Sequence, residues 1–218
     1  MKRPHALTLE DVTRALQLPD FDVQAAWQPM RMRPNLRRDN PPPGQPVREA
    51  GVLVLIYPGT RGLSTLLIQR TPDPGIHSGQ IGFPGGSRET DDRDLQATAL
   101  REACEEVGVC RDDVRVLGQL TRVYIPPSQF LVWPVVGALQ ARPTFRPSPA
   151  EVAGLIELPL ADLLQDGLKR ETDMQFGAFT VRVPYYSVEG HIVWGATALM
   201  LAELEARLRA VTPLSPGR

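Results

Sequence analysis

The stretch GVLVLIY, residues 51 to 57, is apolar at almost every position. A strand with one wet face alternates apolar and polar residues, so a near-continuous apolar run belongs to a strand covered on both faces. STLLIQR follows across PGTRGL and reads as its hairpin partner. A hairpin of this kind needs a layer above and a layer below it. Two helical patterns can supply them: one from about Asp94 to Val107, stopped by Gly108, and the amphipathic ATALMLAELEARLRAV. Between them, VRVLGQLTRVY and FLVWPVVGAL read as strands joined across IPPSQ, and PSPAEVAGLIELPLADLL as a strand followed by a short helical turn. FTVRVPYYSVEG and HIVWG form a further hairpin. A mixed sheet with a helix on each face accommodates this order.

Ahead of the hairpin, LTLEDVTRALQLPDFDVQAAW predicts a helix capped near Thr8, with Glu10 and Asp11 favouring its first turn, and a second short helix after Pro19. RPNLRRDNPPPGQP, residues 33 to 46, is too rich in proline for helix or central strand and reads as extended connector. The expected organisation is therefore a helical N-terminal extension and connector over 1–46 and one main domain over 47–218. The 24 basic and 25 acidic side chains nearly cancel, so no net field draws the chain to nucleic acid or to an anionic membrane. A small-molecule partner is expected. MKRPHALTLEDV lacks a signal-peptide apolar core and no apolar run is long enough to span a bilayer, which predicts a cytoplasmic protein. Cys104 and Cys110, the only cysteines, are expected as reduced thiols.

The helix that ends in REACEEVGV poses an electrostatic problem. Ala99, Leu100, Ala103, Cys104 and Val107 fall on one arc of roughly 140° that must face the sheet. Glu102 and Glu106 lie at the border of that arc and Glu105 further toward solvent. Like charges at this spacing repel, and more strongly at the edge of a core, so a counter-charge is expected among them, either Arg101 on a plain surface turn or a bound cation. A hard divalent ion with oxygen ligands answers that need. TPDPGIHSGQIGFPGG, residues 71 to 86, has five glycines and three prolines and reads as a loop that brings backbone close to a ligand beside those acids. Loop and acids together suggest a phosphorylated substrate bridged by metal.

GGSRETDDRDLQATALREACEEVGV resembles the box motif of the Nudix hydrolases: glycine, five residues, glutamate, seven residues, then REUxEExGU with U apolar. Arg101, Glu102, Ala103, Glu105, Glu106, Gly108 and Val109 fill the second half. The first half departs from it. Counted back from Arg101, Ser87 and Arg93 stand at the glycine and glutamate positions, whereas starting from Gly86 puts Asp92 at the acidic place with one extra residue before the helix. In the family that acid and the box arginine support the helix–loop geometry, which makes Asp92 the candidate partner of Arg101. Upstream, LLIQRTPDPGIHSGQIGFPGG is similar to the signature of the coenzyme A pyrophosphatase subfamily at Leu66, Leu67, Arg70, Gly79, Phe83, Pro84, Gly85 and Gly86. It differs at Ile68, Thr71 and Gly75, the last in place of an arginine. HIVWGATA also resembles that subfamily.

The resemblance implies a Nudix-type α/β/α sandwich with a mixed β-sheet. It implies hydrolysis of coenzyme A to 4′-phosphopantetheine and adenosine 3′,5′-bisphosphate, with Mg²⁺ or Mn²⁺ held by Glu102, Glu105, Glu106 and the Gly86 carbonyl. Arg101 and Glu105 are the implied catalytic residues, Glu105 as general base with Glu151 as its rival. Arg70, His77, Gly79, Phe83 and Gly85 are the implied substrate contacts, and Trp194 is read as core. Two alternatives stand beside this reading: a Nudix diphosphatase for ADP-ribose or NADH, and a Nudix-fold nucleotide sensor without turnover.

Overall fold

The computed structural model describes residues 6–34, 38–72 and 79–212. In chain order its elements are α1 (Leu9–Leu16), α2 (Val23–Trp27), β1 (Arg48–Gly59), β2 (Gly62–Arg70), β3 (Ile81–Gly82), β4 (Gly85–Ser87) and α3 (Leu95–Val107). Then follow β5 (Arg115–Gln119), β6 (Val123–Ile125), β7 (Phe130–Ala138), β8 (Val152–Pro159), α4 (Leu160–Leu163), β9 (Lys169–Phe176), β10 (Phe179–Val188), β11 (His191–Val193) and α5 (Gly195–Val211).

β1 is the central strand, as its sequence demands. It pairs antiparallel with β2 in the expected hairpin and with β4, and parallel with β7, which makes the sheet mixed. β3 and β8 extend the sheet from β2, and β5 and β6 both pair with β7. Both faces of β1 are covered. Leu53, Leu55 and Tyr57 pack with Ala99, Ala103 and Val107 of α3, while Val54 and Ile56 face a second cluster that holds Leu199, Leu204 and Leu208 of α5. Each such aliphatic side chain contributes about 1.5 to 3 kcal/mol through burial, enough for the hairpin to organise both layers.

α1 forms as its sequence predicts: the Thr8 hydroxyl accepts a bond from the Asp11 amide and the Asp11 carboxylate accepts one from the Thr8 amide, a complete capping box. Val12 and Ala15 of α1 enter the α5-side cluster. The arginines bordering the connector pair with acids, Arg31 with Asp39 at 2.8 Å and Arg33 with Glu171 at 3.3 Å.

Four expectations are corrected. The segment 71–86 is not all loop, because its last third forms β3 and β4, whose short polar-poor runs carry no alternation of their own and are ordered by β2 and β1. VRVLGQLTRVY is two strands, β5 and β6, interrupted between Gln119 and Val123 and both paired with β7. The hairpin of β10 and β11 gains β9, a largely exposed strand whose sequence KRETDMQF has no apolar face, and these three form a separate small sheet. Cys104 and Cys110 are joined in a disulfide, because the left-handed turn at Gly108 folds the chain back and brings their Cα atoms to 4.3 Å.

The close approach of α3 to β1 depends on Gly51. A methyl group there would overlap the Leu95 carbonyl and stand 2.8 Å from the Ala99 amide nitrogen, both helix backbone that cannot turn aside. Gly51→Ala is expected to destabilise the protein by about 2 to 3 kcal/mol, read as a lower urea midpoint at unchanged slope. An unchanged midpoint would mean the helix does not seat here.

Candidate active site

α3 is held at both ends. The Asp94 carboxylate caps the Ala97 amide at 2.8 Å. At the other end the Glu106 and Val107 carbonyls accept the Ser148 and Arg146 amides, each at 2.9 Å. Against this fixed helix the glycine-rich segment is stitched to β1: Gly85 pairs with Val52, Gly86 with Gly51, and the Leu53 amide donates to the Pro84 carbonyl at 2.8 Å. Gly86 lies so close to α3 that a Cβ there would come within 2.5 Å of the Glu102 carboxylate. Only glycine leaves the carboxylate that space.

The three glutamates differ sharply. Glu106 is buried, accepts the Gly85 amide at 2.7 Å on one oxygen and faces Arg70 at 3.4 Å on the other. Burial pushes its carboxyl up to about 7, against the opposing pull of the Gly85 amide and of Arg70. Glu102 is part-buried and burial raises its pKa as well, with Arg101 pulling the other way. Glu105 has 54% of its side chain exposed, the solvent-side position predicted for it. Glu106 sits deeper than the border position expected of it, because β4 closes over the helix there.

Arg101 supplies much of the counter-charge. Its Nη1 lies 3.1 Å from Glu102 and 3.0 Å from Glu105, and its Nη2 donates to the Ser87 carbonyl at 3.1 Å. Nε and Nη2 grip both oxygens of Asp92, at 3.2 and 3.0 Å. That bidentate bond holds the Asp92 carboxyl down at about 2. Asp92 is itself buried and accepts the Thr98 hydroxyl at 2.9 Å and the Glu89 amide at 3.0 Å. The extra residue before the helix is therefore absorbed in the 87–94 turn. Thr98 and the Ser87 carbonyl escaped sequence reading, since nothing in their spacing marks a side chain that serves a loop from within a helix.

Arg70 reaches Glu106 from the end of β2, where the register with β8 shifts between Gln69 and Arg70. A bulge there re-aims the side chain. The Thr71 amide donates to the Glu151 carbonyl at 2.9 Å, which fixes the start of β8 beside Arg70. The Glu151 charge raises the pKa of both Glu102 and Glu106 and so acts on the same cluster. Phe83 is buried and Gly79 has a left-handed backbone, φ 66°. His77 lies outside the described residues. Trp194, expected in the core, is only half-buried: it caps α5 at the sheet edge, its ring 5.9 Å from that of Phe176.

Among the described residues no three acidic, histidine or cysteine side chains already converge as a metal cage. The donor chemistry nonetheless fits a hard divalent cation. The carboxyls are oxygen donors on adjacent turns, two of them are made costly to ionise by burial, and the Gly86 backbone faces them without a side chain.

The NUDIX domain pattern matches residues 47–176, which takes in β1 through β9 and the whole acidic helix. The chain belongs to the Nudix family. It is 38% identical over 176 residues to an uncharacterized Nudix hydrolase, NudL, of Pectobacterium atrosepticum, covering 77% of this chain and 88% of that one. The Photorhabdus laumondii protein of the same description is 36% identical over 144 residues, 66% of this chain and 76% of its own. Among solved structures, the Nudix hydrolase RenU of M. Smegmatis aligns with TM-score 0.49 at 20% identity over 78% of this chain and 88% of that one. Within the Nudix fold, the box helix is α3, and the mixed sheet lies between α3 and α5 as expected. Among the described residues no helix is long and apolar enough to cross a membrane.

Proposed function

We propose that this Nudix protein hydrolyses the diphosphate of coenzyme A or a coenzyme A derivative, releasing 4′-phosphopantetheine and adenosine 3′,5′-bisphosphate. The observation that carries the reading is the placement of Arg70. The arginine of the coenzyme A-type signature is brought by a β-bulge to within 3.4 Å of the box carboxylate Glu106. Arg70 of the substrate motif and Glu106 of the acidic helix are therefore neighbours.

Glu102, Glu105, Glu106 and the Gly86 carbonyl would hold Mg²⁺ or Mn²⁺. Such a cation would supply positive charge to offset the diphosphate and to acidify the attacking water. The chain's own residues do the rest. Arg70, whose side chain is 37% exposed beside Glu106, would contact the substrate phosphates. Arg101 holds Glu102 and Glu105 in one orientation while Asp92 holds Arg101. A water attacks phosphorus, its proton passes to the Glu105 carboxylate, and the P–O bond of the anhydride breaks to leave two phosphate monoesters. Glu151, at the mouth of the same cluster, is the alternative proton acceptor.

A second reading, diphosphatase action on ADP-ribose or NADH, draws on Gly75, which stands where the subfamily has an arginine. Product analysis separates the two. With Mg²⁺ present, adenosine 3′,5′-bisphosphate from coenzyme A is expected at least about tenfold faster, per kcat/KM, than AMP from ADP-ribose, a difference of about 1.4 kcal/mol in transition-state binding. The opposite order would reject coenzyme A, and no turnover of either would favour a sensor.

A further inference from the structure

The disulfide between Cys104 and Cys110 sits on the acidic helix itself. Cys104 lies between Glu102 and Glu105, and Cys110 lies two residues past the Gly108 cap. A staple is expected where nothing else holds the backbone. Here the turn's other ties are backbone hydrogen bonds: Gly108 donates to the Cys104 carbonyl, Val109 to Ala103, Arg146 to Val107 and Ser148 to Glu106, at 2.9 to 3.2 Å. Both cysteines are part-exposed, so a small dithiol can reach them. The bond thus adds a covalent tie to a turn otherwise closed by backbone hydrogen bonds, is accessible to exchange, and is placed one residue from Glu105 and two from Glu106.

We propose that Cys104 and Cys110 form a reversible thiol–disulfide site that tunes the enzyme, the oxidised form holding the last turn of α3 and the reduced form loosening it. In the reducing step a thiolate of a dithiol attacks one cysteine sulfur, the S–S bond breaks, and the other cysteine leaves as thiolate. The second thiol then displaces the first cysteine. Two electrons and two protons pass to the protein and the dithiol leaves as a cyclic disulfide; a disulfide oxidant reverses the exchange. Loosening the turn moves Glu105 and Glu106 together, because both are carried on it. Displacements well under 1 Å at such groups cost severalfold in rate.

The activity part rests on the hydrolase reading, so the test includes arms that need no turnover. The full chain, purified without reductant, is split and one half treated with dithiothreitol before alkylation with iodoacetamide. No label is expected in the untreated half and two labels in the treated one. Amide exchange over residues 103–109 is expected to rise on reduction, and the melting midpoint to fall by about 5 °C. With Mg²⁺ and coenzyme A, kcat is expected to drop about three- to tenfold while KM stays within about twofold, and oxidised dithiothreitol restores it. The C104S/C110S protein, or C104A/C110A should that one fold poorly, is expected to hold the reduced rate with or without dithiol. Labelling without reductant, equal exchange and kcat in the two forms, or a dithiol effect that persists in the double variant would each overturn the proposal. Should no substrate turn over, the hydrolase reading fails alone, and exchange over 103–109 still decides the redox site.

Discussion

Glu106→Gln is expected to give a protein as stable as the parent or more so, with kcat lower by about a thousandfold or more. The rate follows from the loss of a carboxylate that contributes several kcal/mol of charge stabilisation at the reacting diphosphate. The stability follows from burial. Glutamine keeps an oxygen for the Gly85 amide, which donates at 2.7 Å, and removes a group that the fold prefers neutral. Because the Glu106 carboxyl is pushed up to about 7, the folded protein holds a proton there that the unfolded chain gives up near pH 4.5. This group therefore costs metal-free stability as pH rises from about 4.5 to about 7. In EDTA, the parent's melting temperature is expected to decline across that window relative to the variant, and Mg²⁺ to recover it in the parent alone. Parallel melting profiles with unchanged turnover would show that the Glu106 charge serves neither the metal nor the reacting diphosphate.

The second large effect is expected at Asp92. Asp92→Ala strips the partner from Arg101 and leaves the buried Thr98 hydroxyl and the Glu89 amide without their acceptor. Breaking a buried pair from one side costs about 3 to 5 kcal/mol, a fall of roughly 10 °C in melting temperature for a chain of this size. Turnover is expected to fall about ten- to a hundredfold as well, because Arg101 no longer orients Glu102 and Glu105. Asp92→Asn isolates the charge. Arg101 holds the Asp92 carboxyl at about 2, so its contribution is whole above the unfolded value of 3.8 and disappears as pH falls toward 2. The stability gap between parent and Asp92→Asn is thus expected to be about 2 kcal/mol near pH 6 and to close in strong acid. A gap that stays constant with pH would show that shape, not charge, is what Asp92 supplies.

Much of this site was legible in residue order because its parts are local. The spacing of Glu102, Glu105 and Glu106 on one helix, the cap at Gly108 and the glycines before the helix are all set within some twenty residues. Helical geometry then converts spacing into position, which is why Glu105 was expected outward and is found so. The apolar run of β1 likewise announced layers on both faces, because no polar residue in it could face water.

Other features came from contacts between segments distant in the chain. That Glu106 sinks below the surface follows from β4 closing over α3, and the aim of Arg70 follows from a bulge set by β8, some eighty residues downstream. β9 has no apolar face of its own and exists as a strand because β10 offers a ladder of backbone partners. Residue order offered Arg101 or a bound ion as the counter-charge, whereas the fold adds Arg70 to the cluster and ties Arg101 to Asp92. Periodicity and spacing thus named the helix, the strands and the chemical character of the acids, since these follow from neighbours along the backbone. Burial, and with it the raised pKa of Glu102 and Glu106, arose where separate strands and helices were packed together, because desolvation depends on what covers a group rather than on what precedes it.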